Sequence, residues 1–133
     1  MRFVFFADAL KIVENEFGKN HYKFGMMKAS AGSAKVMLGD FAGSYQDLQA
    51  AMRTLKLCLG ATHLEVADVL TALGDVCIKT FVENPSKGEK LSEAKKYYVE
   101  AESICVLRLG KQHSKVDQLA SLLFICDNYA AIV

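Results

Sequence analysis

Leu59-Gly60-Ala61-Thr62-His63-Leu64-Glu65-Val66 decides how the rest of the chain is read, because its pattern occurs twice more. Phe17-Gly18-Lys19-Asn20-His21-Tyr22-Lys23-Phe24 precedes it, and Leu109-Gly110-Lys111-Gln112-His113-Ser114-Lys115-Val116 follows it. All three fit apolar-Gly-x-x-His-x-x-apolar, and all 3 histidines of the chain occupy the same place in it. The glycines are 42 and 50 residues apart. A period of that size marks stacked supersecondary units.

The residues upstream of each glycine repeat as well. Nine positions before it are Ala9, Ala51 and Ala101; twelve before it are Phe6, Leu48 and Tyr98. Nineteen before it are Phe41 and Leu91 in the two copies long enough to show them. Small residues set against large ones let two helices approach closely while the large side chains fill the gaps. The longer period is accounted for by Glu83-Asn84-Pro85-Ser86-Lys87-Gly88-Glu89-Lys90, a polar loop carrying the only proline.

Helical spacing supports the same organisation. Val66, Val69, Leu70, Leu73, Val76 and Cys77 form one apolar stripe, and Leu91, Ala94, Tyr98, Ala101 and Cys105 form another. Phe24, Met27, Ala31, Ala34 and Leu38 form a third. Gly18, Gly60 and Gly110 are expected to end helices in the left-handed C′ conformation, and Thr62 to cap the helix after Gly60. The expected fold is all-α, one domain over residues 1–133, with helices near 3–16, 20–38, 42–58, 63–82, 90–108 and 113–131.

Composition narrows the function. The chain has 133 residues, 52% of them hydrophobic, enough for one core and unlike a disordered segment. With 16 basic and 15 acidic residues the net charge is +1, a balance that does not point to nucleic acid, and Lys19, Lys23, Lys28 and Lys35 along one helix read as a solvated face. No phosphate loop, HExxH or paired zinc cysteines occur, so no cofactor or metal is expected. The 4 cysteines, Cys58, Cys77, Cys105 and Cys126, fall in apolar helical patterns and read as reduced core thiols. The opening Met1-Arg2-Phe3-Val4-Phe5-Phe6 run is broken by Asp8, Lys11 and Glu14 and does not read as a secretory signal. No stretch approaches the roughly 18 apolar residues of a membrane span. A cytoplasmic protein without a membrane partner is the expectation.

A helix pair of this length ending in Leu-Gly-x-x-His resembles the long tetratricopeptide repeats of kinesin light chain and its relatives. Ala94-Lys95-Lys96-Tyr97-Tyr98-Val99-Glu100-Ala101 is similar to that family's second-helix signature. The resemblance runs from about Arg2 to the C-terminus. It implies a right-handed superhelical stack, a solenoid of about six antiparallel helices, and a groove lined by the first helix of each pair. Leu109 to Val116 and the helix after it also resemble the closing helices of SET–MYND lysine methyltransferases, whose catalytic fold and zinc cysteines are absent here. Two departures stand out. The proline that usually follows the histidine is replaced by Tyr22, Leu64 and Ser114. The groove-facing asparagines are replaced by Ala29 and Ser30, Thr71 and Ala72, Ser121 and Leu122.

The expectation is a non-catalytic interaction module or scaffold that holds a peptide or helix of another protein. The alternatives are a regulatory region of an enzyme such as a SET–MYND methyltransferase, or a structural subunit of a large assembly. Lys28, Lys35, Asp68, Thr71, Asp75, Lys79 and Gln118 are the expected partner contacts, chosen for outward positions on first helices. His21, His63 and His113, one per repeat, are too far apart to share a zinc ion and are read as hydrogen-bonded turn residues. The last helix carries Leu119, Leu122, Leu123, Phe124 and Tyr129, too apolar for the polar cap a solenoid end needs. Either the chain belongs to a longer array, or a partner or second copy docks there by self-association.

Overall fold

The computed structural model describes residues 21–132 together with Asp8, Ala9, Lys11 and Ile12, and these four positions are helical. Most of the helix expected over 3–16, with Phe6, Glu14 and Gly18, lies outside the described residues. The described chain is all-helical, with no strand. Its helices are α1 (Tyr22–Met37), α2 (Phe41–Leu59), α3 (Leu64–Glu83), α4 (Gly88–Leu109) and α5 (Ser114–Ile132). The chain divides into two compact units, residues 1–61 and 62–133.

In the first unit α1 and α2 form an antiparallel pair. A Cβ added to Gly25 would lie 3.0 Å from Leu55, and one added to Gly32 would lie 2.8 Å from Leu48. Early residues of α1 therefore meet late residues of α2. The small side chains of α1 bring the backbones together so that the buried Leu48 and Leu55 fill the seam. Ala51, nine residues before Gly60, is fully buried as the repeat requires. The stripe on α1 is only partly right: Phe24, Ala31 and Ala34 are buried, Met27 is half-buried and Leu38 is 61% exposed. Leu38 is already the C-cap. Beyond it the Gly39 N–H donates to Val36 O and the Asp40 N–H to Lys35 O, the crossed bonds of a Schellman turn with Gly39 at φ 81°. Asp40 then caps α2, accepting from the Gly43 N–H at 2.9 Å.

The second unit has three helices. Arg108 donates to the Thr62 carbonyl and hydroxyl, each at 2.8 Å, and the Tyr98 hydroxyl donates to Asp75. These contacts run in opposite directions along α3 and α4, so the pair is antiparallel. Asp68 with Lys115, then Phe81 with Tyr129, place α5 parallel to α3. Every residue of the two expected stripes on α3 and α4 is buried. Ala94 and Ala101 are completely enclosed, as is Tyr98, whose ring lies where Gly74 has no side chain. A Cβ on Gly74 would be 2.5 Å from that ring.

The repeated turns share a geometry that differs from the expected one. Gly60 has φ 97° and ψ 153°, and Gly110 has φ 89° and ψ 160°. The positive φ is as expected, but ψ is extended rather than left-handed helical, a region open essentially to glycine alone. The cap is also different: His63, not Thr62, is the N-cap of α3, its Nδ1 accepting from the Glu65 N–H at 3.1 Å. His21 and His113 do the same to the N–H groups of Lys23 and Lys115, each at 3.1 Å. Imidazole here takes the place of the usual Ser, Thr, Asp or Asn.

Candidate functional site

A cleft of about 200 Å³ opens in the second unit. Asp68, Thr71, Ala72 and Asp75 line it from α3, at spacing i, i+3, i+4, i+7. Lys115, Gln118, Leu119 and Leu122 line it from α5 at the same spacing. That spacing puts each set on one helix face. Because α3 and α5 run parallel, the two faces flank one cleft, and Cys105 of α4 reaches it from beneath.

Its polar groups are held in different ways. Lys115 Nζ lies 3.3 Å from Asp68 Oδ1, a partly exposed pair that links the two walls. The Thr71 hydroxyl donates back to the Ala67 carbonyl at 2.9 Å, so it is turned along its own helix. Asp75 is half-buried, and its Oδ1 accepts from the Tyr98 hydroxyl at 2.5 Å. Burial pushes the Asp75 carboxyl above its ordinary range, against the opposing pull of the Tyr98 bond and the nearby Lys79 charge. Tyr98 is held protonated well above the usual phenol range, first by burial and then by Asp75. Asp75 has no ion pair among the described residues.

Four of the seven expected partner contacts, Asp68, Thr71, Asp75 and Gln118, thus meet in one cleft. Lys79 is exposed one turn beyond Asp75 and does not line it. Lys28 and Lys35 are in the other unit and half-buried, where they converge on Asp47. Lys28 Nζ is 3.5 Å from Asp47 Oδ1, and Lys35 Nζ is 2.8 Å from Oδ2 in a charge contact whose angle is not that of a hydrogen bond. Both side chains lean on the buried Asp47 while about a quarter of each stays exposed.

The apolar residues nominated on the last helix divide similarly. Leu119 is buried and, with Leu122, walls the cleft. Leu123 is half-buried, and Tyr129 meets Phe81 edge-on with ring centroids 6.0 Å apart. Phe124 is 65% exposed, and Ile125 beside it, which the sequence did not single out, is 43% exposed. Among the described side chains of α5, the exposed large apolar ones are therefore this neighbouring pair. Lys115 and Cys105 were missed. The helical period would have added Lys115 to its face, whereas Cys105 enters from a third helix.

The cysteines divide as well. Cys77, Cys105 and Cys126 are buried, and Cys58 is exposed, against its expected place in the core. Burial, followed by the nearby Glu93, pushes the Cys77 thiol up to about 12, and burial raises those of Cys105 and Cys126. Thiols raised in this way are poor nucleophiles at neutral pH. Among the described residues no group of three or more His, Cys, Asp or Glu side chains is placed to hold a metal. No helix among them is long and apolar enough to cross a membrane. Compared with known proteins, the sequence matches no family model and no curated protein.

Proposed function

We propose that this chain is a non-catalytic interaction module of the long tetratricopeptide type, whose α3–α5 cleft holds a peptide or helix of a partner protein. The observation that carries this reading is the coincidence of two independent lines. Thr71, Ala72 and Leu122 occupy positions that face the groove in the family the sequence resembles, and all three line the cleft. Parallel first helices with an antiparallel second helix between them are the arrangement that such an array repeats. An apolar floor with a polar rim suits a side chain projecting from an extended or helical partner.

A photo-crosslinking amino acid at Gln118, on the rim, tests the assignment against the same group at the exposed Lys96. Adducts to a defined partner from position 118 and not from position 96 are expected. Identical adducts from both positions, or none from 118, would remove the cleft as the docking site. The exposed Phe124 and Ile125 favour a second contact, self-association through α5. Sedimentation of wild type beside Phe124→Glu checks it: a dimer should be lost in the variant, and a monomer in both excludes it.

A further inference from the structure

We propose that the cleft takes the side chain of a lysine or arginine of a partner peptide, its aliphatic stem against Ala72, Leu119 and Leu122 and its cation at Asp75. The proposal rests on the reading of the cleft as a peptide-holding surface and goes on to specify which side chain is held. The size is the first argument. A volume of about 200 Å³ is below the roughly 300–1,000 Å³ of small-molecule pockets and is suited to one long side chain. The lining is the second. Lysine and arginine carry an apolar stem and a charged tip, which matches apolar walls ending at a carboxylate.

The third argument is charge, group by group. Asp68 is matched by Lys115 across the cleft. Among the described residues Asp75 accepts one hydroxyl bond and has no cation in contact; Lys79, exposed on the next turn of α3, acts on it only through its field. Ionised Asp75 is thus desolvated without an ion pair, the state that raises its carboxyl. Asp47, in the other unit, has two ammonium groups of its own chain. A cation brought by a partner would complete Asp75 in the same way. An apolar side chain in its place would desolvate the carboxylate further with no compensation, and an acidic one would repel it.

Four hexapeptide mixtures, alike except for a fixed central lysine, arginine, norleucine or glutamate, provide the test. Each is titrated into the full chain labelled with nitrogen-15, following the amide resonances of residues 68–75 and 115–122. The lysine and arginine mixtures should shift these resonances with affinity about tenfold or more above norleucine, and glutamate should bind weakest. Asp75→Asn should remove the cationic preference, and the rim substitutions Gln118→Lys and Gln118→Glu, which leave the Tyr98 bond untouched, should weaken and strengthen it respectively. Equal binding of norleucine and lysine mixtures overturns the cation assignment while leaving a peptide-holding cleft. No shift with any mixture overturns both.

Discussion

The two units each enclose an aspartate, and they treat it differently. Asp47 lies in the α1–α2 seam with Lys28 and Lys35 on its two oxygens, so the charge is balanced within the unit. Asp75 has a phenol on one oxygen and, among the described residues, no ammonium in contact. Packing differs in parallel. Leu55 and Leu48 lie over Gly25 and Gly32 in the α1–α2 seam, whereas the ring of Tyr98 lies over Gly74 in the α3–α4 seam. The same repeat signature therefore builds one unit with its buried charge matched and another with a half-buried charge lining an open cleft. The two copies share the antiparallel pairing of their helices and differ in the side chains that fill the seam and in how its carboxylate is matched.

Removing the ring that lies over Gly74 in the second seam should have the largest effect. Tyr98→Ala is expected to cost about 3–5 kcal/mol, since it empties the core and strips Asp75 of its donor. Tyr98→Phe keeps the ring on Gly74 and should cost only about 1–2 kcal/mol. Urea denaturation of both variants separates the contributions; equal losses would show that the hydroxyl, not the ring, holds the seam. Next come the two carboxylates. Asp47→Asn should destabilise by about 1 kcal/mol, a modest figure because both lysines still reach water.

Asp75→Asn should have the opposite sign at neutral pH. The folded Asp75 carboxyl is raised above its ordinary 3.8, so its favourable contribution is complete below that value and is lost as pH rises through the raised one. Asparagine still accepts the Tyr98 bond and carries no such loss. The variant's advantage should grow from acid toward neutral pH and then level off. Thermal melts of both proteins across that range would contradict the uncompensated state of Asp75 if the advantage were flat or reversed. The smallest effect concerns the turns. His63→Ala should cost about 1 kcal/mol by removing the acceptor for the Glu65 N–H, and His63→Asn should restore most of it. Equal stability of both variants would mean that the imidazole contributes through packing rather than as a cap.

Much of the fold was legible because it depends on local periodicity. The five described helices begin and end within two residues of the expected bounds, and the stripes on α3 and α4 are buried in full. Where the reading failed, two local solutions competed on equal terms in the sequence. Thr62 and His63 are adjacent potential caps; His63 takes the role, as His21 and His113 do in the other turns, while Thr62 instead accepts from Arg108, 46 residues away. Lys28 and Lys35 look like a solvated strip until α2 sets Asp47 against them.

By itself the sequence determined where helices start, which face of each is buried, and that glycine and histidine recur at the turns. These follow from the 3.6-residue period and from backbone conformations that few residues can adopt. Only the tertiary structure decided which polar residues meet: that Asp68, Asp75 and Gln118 share one cleft, that Lys28 and Lys35 converge on Asp47, and that Asp75 has no cation in contact among the described residues. The reason is physical. Periodicity fixes the direction of a side chain about its own helix axis, but the charge and solvent it meets depend on helices tens of residues away, whose rotation and offset no local rule specifies.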